Sequence, residues 1–464
     1  MTDSFLGKRV LVAGFGLHGG GAATVTWLVT HGAHVTVTDL KSTTQLAAAI
    51  ERLAPTIRSR IRWVLGKHRL ADFTSAEVVI QNPAVPRQSP YLRAARRAKV
   101  RIHNDASIFF THCPTPVIAV TGTRGKSTTT ALIAHLCKSA RSRVWLLGLP
   151  QQPLLGSLDA IRFGDTVIVE LSSWQLEILN DQRISPHGAV LTNIYPDHLN
   201  RYATFAAYRR AKQAIFANQT SRDFAVVNRN NPEAAVAGAA VTARRFWFSK
   251  HPVSQQNGTF IRGNRIYFRN QGQQKIVAHV GDLALPGTHN LENALAAVTV
   301  ASILGISVTA VRQRLKTFSG LTGRLELIAT RQGVKFYNDT TATTPDATMA
   351  ALDALAGQTK KIVLIAGGDD KKIPAAKFVE LAKKIKRHCR AVVILRGQGS
   401  KKIKLPKALP QVTGVATMVD AVACARQFVR PGDIILLSPA CASFGLFIHE
   451  YDRGAQFCAA VKEL

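Results

Sequence analysis

Residues 117–130 constrain this fold more than any other stretch of the 464-residue chain. They read VIAVTGTRGKSTTT, an apolar strand followed by a turn between two glycines and then by Lys-Ser at the start of a helix-like run. Such a turn wraps an anion with backbone N–H groups, and the following helix dipole adds positive potential. The alternative is an ordinary strand-to-helix turn. The strand before it and the helix after it favour a phosphate loop, although two residues rather than four separate the glycines.

The predicted phosphate loop binds ATP or GTP. Its lysine reaches the β- and γ-phosphates, and its hydroxyls hold Mg²⁺. The loop residues are Gly122, Thr123, Arg124, Gly125, Lys126, Ser127 and Thr128.

The length of the chain exceeds one ordinary core and indicates about three domains. No signal peptide opens the sequence and no apolar run is long enough to span a bilayer, so we expect a cytoplasmic protein without membrane contact. The six cysteines form no C-x-x-C pair. This spacing argues against a zinc site or a disulfide framework, and the cysteines are most simply small core residues.

The formal net charge of +32 raises the question of nucleic acid, because a basic field attracts phosphates without reading sequence. Lysine and arginine are spread over the whole chain and are densest in residues 359–407, with fifteen basic residues against three acidic ones. Aromatic residues do not interleave with this run, as they would in a platform for single strands. We favour a solvated basic face and expect no specific nucleic-acid partner. A non-catalytic, nucleotide-gated nucleic-acid binder remains the minority alternative.

Residues 8–40 predict a strand, a glycine-rich turn, a helix and a second strand. Gly14, Gly16 and Gly19 form a G-x-G-x-x-G turn, and Asp39 ends the second strand. This pattern is typical of a dinucleotide-binding unit with an acidic residue for a ribose hydroxyl. The glycines could equally hold another nucleotide's phosphates or allow close packing of helix on strand. Strand and helix patterns alternate up to residue 104, which closes a first α/β domain.

Two further α/β domains follow. The central one, over residues 105–319, carries the phosphate loop and strands at 166–170 and 188–193, each followed by polar residues. The last, over residues 320–464, repeats strands near 361–368, 391–397 and 433–438 with amphipathic helices between them. We therefore predict an α/β fold of three doubly wound domains: Rossmann-like over 1–104, P-loop ATPase-like in the centre and Rossmann-like at the end. Ligands of such domains sit at the carboxyl ends of strands.

Two residues at predicted strand ends could hold a metal ion. Glu170 ends a strand that would lie beside the strand of the phosphate loop, where Mg²⁺ requires oxygen ligands. A glutamate that simply opens a helix is an equal alternative. His198 follows another strand end, and by position alone it reads as a turn histidine.

Lys212 is predicted to face the apolar side of its helix. Tyr208, Ala211, Lys212 and Ile215 follow a helical stripe, whereas Arg209 and Arg210 face outward. A buried, unpaired ammonium is costly, so such a lysine reaches solvent, contacts an anionic ligand or loses its proton and reacts as the neutral amine. Reaction with CO₂ would make it a carbamate that binds Mg²⁺.

Taken together, the order of these motifs resembles the Mur ligases over nearly the whole chain. The stretches that carry the resemblance are 122–128, 170–177, Asp197-His198, 208–212, 287–293, Gly323-Arg324, Asn338-Asp339 and 437–443. The first and last of the strand-end motifs, ELSS at 170–173 and SPACAS at 438–443, are most similar to the branch of the family that uses D-glutamate. The resemblance implies three α/β domains and an ATP-dependent ligase of peptidoglycan precursor synthesis.

The resemblance also implies the substrates and the cofactors. D-Glutamate would be joined to UDP-N-acetylmuramoyl-L-alanine through an acyl phosphate, with ATP and two Mg²⁺ ions, by a monomer. Lys126, Ser127 and Thr128 would hold phosphates and one metal together with Glu170. His198 and carbamylated Lys212 would hold the second metal.

Other residues take roles through the same resemblance. Asn290 and Asn293 would approach the adenine, and Arg324 and Asp339 would contact the ribose and the phosphates. The uridine nucleotide, rather than NAD, would occupy the first glycine-rich turn at Gly14, Gly16, Leu17, His18 and Asp39. The incoming D-glutamate would bind at Lys371, Ser443 and Phe444.

The sequence departs from the family pattern at three places. Thr340-Thr341 replaces the usual Ser-Lys after Asp339, Gly148-Leu149-Pro150-Gln151 replaces Gly-Asn-Ile-Gly, and Ile448 replaces a lysine. These changes bear on the incoming amino acid rather than on ATP. A sister Mur ligase or a folylpolyglutamate synthase with another amino acid is therefore the alternative function.

Overall fold

The computed structural model describes residues 4–17, 19–83, 85–138, 142–149, 152–198, 201–285, 287–357, 361–371 and 373–464. By the density of internal contacts the chain divides into two compact units. The first contains residues up to 282 together with 291–316, and the second contains 283–290 together with 317–464. In the described residues no helix combines the length and apolarity needed to cross a membrane.

The first unit begins with a five-stranded parallel sheet in the order β3-β2-β1-β4-β5. Side chains of successive β1 residues enter different cores, since Val10 and Val12 belong to one cluster and Leu11 and Ala13 to another. This alternation shows that both faces of the sheet are covered, as predicted. The strands are β1 Arg9–Ala13, β2 His34–Asp39, β3 Ile61–Leu65, β4 Val78–Gln81 and β5 Arg101–His103. The helices are α1 Gly20–Thr30, α2 Thr43–Ile50, α3 Pro55–Arg58, α4 Leu70–Ser75 and α5 Pro90–Arg97.

A nine-stranded sheet forms the rest of the first unit, in the order β14-β13-β12-β11-β10-β9-β6-β8-β7. Its strands are β6 Val117–Thr121, β7 Val144–Leu147, β8 Thr166–Glu170, β9 Gly188–Leu191, β10 Phe224–Asn228, β11 Arg244–Ser249, β12 Gly258–Arg262, β13 Arg265–Asn270 and β14 Gln273–His279. The helices in this part of the chain are α6 Asp105–His112, α7 Lys126–Leu136, α8 Ser173–Asp181, α9 Phe205–Gln213, α10 Pro232–Ala239, α11 Thr288–Ile303 and α12 Val308–Thr317.

The antiparallel hairpins β12–β13 and β13–β14 were not part of the sequence prediction. Gln271 and Gly272 connect β13 to β14 with φ angles of 49° and 81°. Two successive positive φ angles are what a tight hairpin turn requires. The parallel part of the sheet, β10-β9-β6-β8-β7, carries the phosphate loop and agrees with the prediction.

The second unit contains a six-stranded sheet in the order β15-β16-β20-β17-β18-β19, in which only β15 is antiparallel. In β17, Val363 and Ile365 enter one core cluster and Ile362 and Leu364 the other, so this sheet also has two covered faces. The predicted α/β class is confirmed. The strands are β15 Glu326–Arg331, β16 Val334–Asn338, β17 Ile362–Gly367, β18 Cys389–Leu395, β19 Gln411–Val415 and β20 Ile434–Leu437. The helices are α13 Pro345–Leu355, α14 Ala375–His388, α15 Met418–Arg426 and α16 Glu450–Lys462.

The cysteines follow the core prediction only in part. Cys137, Cys389 and Cys441 are buried, whereas Cys113, Cys424 and Cys458 are half-buried, and all six are free thiols.

Candidate active site

The phosphate loop lies between β6 and α7 and requires both of its glycines. Gly125 precedes α7 with a φ of 80°, and a Cβ there would come within 2.3 Å of Asn293 Oδ1. A Cβ on Gly122 would lie 1.9 Å from Thr192 Oγ1. Because real Cβ atoms do not approach this closely, any larger residue would push the loop away from these two side chains.

Several hydrogen bonds fix the shape of the loop. Asn193 Oδ1 accepts the Arg124 N–H at 2.9 Å, and Asn193 Nδ2 donates to the Arg124 carbonyl at 3.1 Å. Thr123 Oγ1 lies 3.1 Å from the Tyr208 hydroxyl. The Lys126 ammonium donates to the Gly122 carbonyl at 3.1 Å and to the Thr123 carbonyl at 3.2 Å, so its side chain curls over the loop.

Asn293 supports the loop from α11. Its Oδ1 accepts a hydrogen bond from Thr129 Oγ1 at 3.1 Å, and the residue is buried. Asn290 lies one turn earlier on the same helix and is also buried. Ser127 is buried and Thr128 is half-buried at the first turn of α7.

Three adjacent parallel strands of the central sheet bring polar side chains together at their carboxyl ends. The strands β9, β6 and β8 are neighbours, and their carboxyl ends lead to Asn193, the phosphate loop and Glu170. Glu170 Oε2 is buried and has no hydrogen-bond partner in the described part of the chain. A buried carboxylate oxygen without a donor is costly, so this atom is suited to a cation or to a ligand's donor.

Lys212 is buried on α9, as its helical stripe predicts. The residue is only 2% exposed, and its Nζ lies 5.0 Å from the centre of the Tyr208 ring. Burial lowers the pKa of Lys212 well below its ordinary value, and the charge of Lys126 lowers this pKa further, against the opposing effects of Asp197 and Glu170. Tyr208 connects this lysine to the phosphate loop, because the Tyr208 hydroxyl lies 3.1 Å from Thr123 Oγ1.

His198 joins the same group of residues. Its backbone has a φ of 53°, and its ring lies between Trp174, with centroids 5.2 Å apart, and Tyr208, at 5.9 Å. Partial burial lowers the pKa of His198; Asp197 raises this pKa, and Lys212 and Lys126 lower it. The imidazole therefore favours its neutral form, which is the form that binds metals.

A cavity of about 440 Å³ lies at the glycine-rich turn of the first sheet, where the strand order reverses between β1 and β4. Gly14, Gly16, Leu17 and Asn82 are among its lining residues. His18, which was predicted to belong to this site, lies outside the described residues.

Asp39 holds this turn by accepting hydrogen bonds from its backbone N–H groups. Its Oδ2 accepts hydrogen bonds from the N–H groups of Phe15 at 2.8 Å and Gly16 at 3.3 Å, and its Oδ1 accepts the Lys41 N–H at 2.9 Å. The residue is buried. Its carboxylate is thus directed at backbone amides of the turn, which positions the lining of the cavity.

Asp105 is a site residue that sequence reasoning missed. It lines the same cavity, and Gln175 Nε2 donates to both of its carboxylate oxygens, at 3.1 and 3.2 Å. Burial raises the pKa of Asp105. Gln175 also forms a capping box with Ser172, the N-cap residue of α8, which comes directly after Glu170 and Leu171. No local pattern marks this link, because its two residues are 70 positions apart.

In the second unit, Asp339 is buried at the end of β16. Its Oδ2 accepts a hydrogen bond from Ser438 Oγ at 2.8 Å, and its Oδ1 accepts the Leu325 N–H at 3.1 Å. Burial raises the pKa of Asp339 to about 7, although the charge of Arg324 acts in the opposite direction. Arg324 itself is exposed.

The predicted amino-acid residues lie in the same unit. Lys371 Nζ donates to Thr343 Oγ1 at 2.7 Å, and partial burial lowers the pKa of Lys371, with Glu450 opposing the shift. Ser443 is buried, whereas Phe444 is 47% exposed.

The positions that depart from the family pattern have structural partners of their own. Thr341 Oγ1 donates to the Gly323 carbonyl at 2.9 Å, and Thr340 accepts hydrogen bonds from the fully buried Arg453, at its hydroxyl (3.1 Å) and its carbonyl (2.8 Å). Ile448 is 70% exposed and Leu149 is buried. Pro150 and Gln151 lie outside the described residues.

The fold and the site define a nucleotide-binding enzyme whose phosphate loop lies at the carboxyl ends of parallel strands. Three family models match the chain: the MurD-like N-terminal domain of Mur ligases over residues 8–104, the Mur ligase middle domain over 120–301 and the Mur ligase glutamate ligase domain over 323–441. The chain therefore belongs to the Mur ligase family.

Similar proteins narrow the branch of the family. A UDP-N-acetylmuramoylalanine–D-glutamate ligase from Roseiflexus sp. (strain RS-1) is 40% identical over 97% of both chains, and one from Symbiobacterium thermophilum is 36% identical over the full length of both. Among solved structures, the UDP-N-acetylmuramate-alanine ligase MurC of Thermotoga maritima matches with a TM-score of 0.59 at 20% identity, over 98% of this chain and 99% of that one. The MurF ligase of the same organism, in complex with ADP, matches with a TM-score of 0.58 at 16% identity, over 100% of this chain and 97% of that one. At these identities the solved structures support the fold alone.

Proposed function

We propose that the chain is an ATP-dependent ligase that joins D-glutamate to UDP-N-acetylmuramoyl-L-alanine in peptidoglycan precursor synthesis. The observation that carries the proposal is the arrangement around Tyr208, whose hydroxyl lies 3.1 Å from Thr123 Oγ1 of the phosphate loop. The Tyr208 ring is 5.0 Å from Lys212 Nζ and 5.9 Å from the His198 ring, and Glu170 ends the strand beside that of Lys126. The substrates are suggested by the printed names of relatives that match the chain over nearly their full length. The reaction would take place in the cytoplasm, and the protein would act as a monomer.

In the proposed reaction, the substrate carboxylate takes the γ-phosphoryl group of ATP, and the amine of D-glutamate then displaces phosphate from the acyl phosphate. Phosphoryl transfer needs positioning and charge stabilisation more than covalent chemistry from the protein. The N–H groups of the loop and the start of α7 would hold the phosphates. Lys126 would leave its carbonyl partners on Gly122 and Thr123 and turn its ammonium to the γ-phosphate.

The residues at the carboxyl ends of these strands fit a magnesium ion. Glu170 provides a buried carboxylate oxygen without a partner, and Ser127 and Thr128 lie at the first turn of α7. Such hard oxygens are what Mg²⁺ prefers. No group of three His, Cys, Asp or Glu side chains in the described residues could hold a metal alone, so phosphate oxygens would complete the set. When bound, Mg²⁺ would neutralise charge that develops on the phosphates.

Lys212 is proposed to act as a carbamate. Its lowered pKa favours the neutral amine, whose lone pair can attack CO₂; the N–C bond forms, one proton leaves the nitrogen and a carboxylate results. The carbamate would replace the buried neutral amine by an anion, which the positive charge of Lys126 would stabilise. With the neutral imidazole of His198 it would provide ligands for a second Mg²⁺.

The remaining roles follow the same proposal. The cavity at Gly14, Gly16 and Leu17, organised by Asp39, would take the uridine nucleotide, whose ribose and phosphates suit a glycine-rich turn. Asn290 and Asn293 would approach the adenine. Arg324 and Asp339 would act on the nucleotide, and Lys371, Ser443 and Phe444 would receive D-glutamate. We keep 1–104, 105–319 and 320–464 as the proposed domain boundaries.

Phosphate release with UDP-N-acetylmuramoyl-L-alanine and ATP, measured while single amino acids are varied, tests the proposal. We expect release to require D-glutamate and to be absent with L-glutamate, L-alanine or L-lysine. Stimulation by another amino acid would instead favour a sister ligase, and by a folate a folylpolyglutamate synthase. Salt-resistant binding of nucleic acid without any amino-acid-dependent release would favour the binding protein.

A further inference from the structure

Residues 234–281 contain no aspartate or glutamate, although they contain seven lysines and arginines. This acid-free segment includes the hairpins β12–β13 and β13–β14 of the central sheet. Its basic residues are Arg244, Arg245, Lys250, Arg262, Arg265, Arg269 and Lys275. Because the segment supplies no carboxylates of its own, its positive charge is balanced only by groups from elsewhere in the chain or by an anionic partner.

The carboxylates that border the acid-free segment are already paired. The pairs are Glu233 with Arg209 at 2.8 Å, Asp282 with Arg312 at 3.0 Å and Lys316 at 3.4 Å, and Glu292 with Lys250 at 2.7 Å. Lys250 is therefore the one cation of the segment that has a carboxylate partner within the part of the chain that the structure describes. The other six cations are uncompensated by ion pairs.

Three of these arginines share one face of the hairpins, which we call the arginine face. Arg265 and Arg269 occupy alternate positions of β13 with Tyr267 between them, and Arg262 of β12 is opposite Arg265 in the register. The guanidinium carbons of Arg262 and Arg269 lie 5.8 and 5.1 Å from the centre of the buried Phe260 ring. Arg262 and Arg265 are exposed and Arg269 is half-buried, so the face presents its cations to the surroundings.

The strand β14 continues the arginine face to the edge of the sheet. Its Gln274 and Ile276 are opposite Arg269 and Tyr267 in the register, and Ile276 is 38% exposed. The backbone groups of residues 273–276 make no hydrogen bond to any described residue outside the sheet. An exposed edge with such unpaired N–H and C=O groups is a template for a further strand.

We propose that this edge binds an extended acidic segment of another protein, which adds a strand to β14 and directs carboxylates to the arginine face. Backbone hydrogen bonds to the edge would provide affinity, and guanidinium groups pair well with carboxylates. Side chains of an extended segment alternate, so acidic residues at every second position would face the arginines. A nucleic acid or a lipid surface could pair with the arginines but would not continue the backbone ladder of β14.

The test is titration of the full chain with a blocked hexapeptide of alternating glutamate and valine, followed by calorimetry at physiological salt. We expect this peptide to bind, and we expect more weakly bound a peptide of the same composition in which all glutamates precede the valines. N-Methylation of alternate amides removes the donors along one edge of the peptide. One of the two N-methylated forms should therefore lose binding while the other keeps it, which charge attraction alone would not produce.

Arg265→Glu should weaken binding of the alternating peptide about tenfold or more, because it places a like charge opposite the carboxylates. The matched control Arg222→Glu makes the same change in net charge at an exposed arginine elsewhere in the first unit, and its affinity should stay within about twofold. Circular dichroism and melting curves establish that each variant is folded.

Failure of the alternating peptide to bind at millimolar concentration would overturn the proposal. So would equal binding of the two N-methylated forms, equally tight binding of duplex DNA at the same salt, or an equal loss of affinity in the two arginine variants. None of these results depends on the proposed ligase activity.

Discussion

The side chain of Asn193 is bonded to both sides of Arg124, because its amide oxygen accepts the Arg124 N–H and its amide nitrogen donates to the Arg124 carbonyl. One side chain at the end of β9 thus holds the peptide groups at the tip of the phosphate loop. The loop is fixed in a conformation before any nucleotide arrives, which reduces the entropy lost on binding.

Asn193→Ala should weaken ATP binding up to about 30-fold, because two hydrogen bonds worth about 1 kcal/mol each are lost and the loop becomes looser. Isothermal calorimetry with a non-hydrolysable ATP analogue measures this effect. Asn193→Asp keeps the acceptor and loses the donor, so its affinity should be intermediate. Affinity for the uridine substrate should stay the same, and an equal loss for both ligands would show general unfolding instead.

Lys212→Ala should lower the ligation rate at least about 100-fold, which is the scale of losing one charge-stabilising group. Short carboxylic acids such as formate should restore part of the rate by occupying the place of the carbamate. Lys212→Arg is the control, since arginine keeps a positive charge, fills the space and does not form the carbamate. Product formation with and without added carboxylate measures both. An arginine variant as active as the natural enzyme would contradict the carbamate.

Asp339 should make the stability of the second unit depend on pH. Its folded pKa of about 7 lies above the value of about 4 expected for an unfolded aspartate, so between these values the folded state binds more protons. Stability is therefore greatest below pH 4 as far as this group is concerned, and falls as pH rises through 7, by up to ~4 kcal/mol. Melting curves of the natural protein and Asp339→Asn between pH 4.5 and 8 test this. The variant should lack this decline, and parallel curves would contradict it.

Lys401→Glu combined with Lys404→Glu should leave the ligation rate within about twofold, because exposed substitutions away from specific contacts change free energies by under ~0.5 kcal/mol. Both lysines are exposed, whereas Lys402 is bonded to Asp370 and is unsuitable. Binding to random duplex DNA, measured by fluorescence anisotropy, should be weak and should vanish near physiological salt. Tight binding that survives salt and is lost in the double variant would show a nucleic-acid function.

The sequence was most predictive where a local pattern has a single structural solution. The two glycines before Lys126 required a loop between a strand and a helix, and the stripe through Tyr208 and Ala211 required Lys212 to be buried. Contacts between distant segments could not be predicted in this way. Asn193 and Arg124 are 69 residues apart, and Gln175 and Asp105 are 70 apart. Each pair depends on which strands become neighbours, and no residue type announces that order.

Short strands were also difficult to predict from the sequence. The hairpins β12–β13 and β13–β14 consist of five to seven residues per strand, and β14 begins with three polar residues followed by three apolar ones, without a clear alternation. Asp39 illustrates a different limit. Its position at the end of β2 suggested a ribose ligand, but the direction of its carboxylate toward the amides of Phe15 and Gly16 depends on three-dimensional packing.

In the described part of the chain β14 is an edge strand of the central sheet, and its residues Gln273, Gln274, Lys275 and Ile276 are exposed. Open strand borders invite pairing between molecules, and charged side chains are a common protection against it. A second copy approaching this border would bring Lys275, together with the exposed Arg265 of β13, against its own like charges. Repulsion of this kind is reinforced by the net charge of +32. The excess of basic residues can thus keep crowded copies of the enzyme dispersed without the need for any ligand.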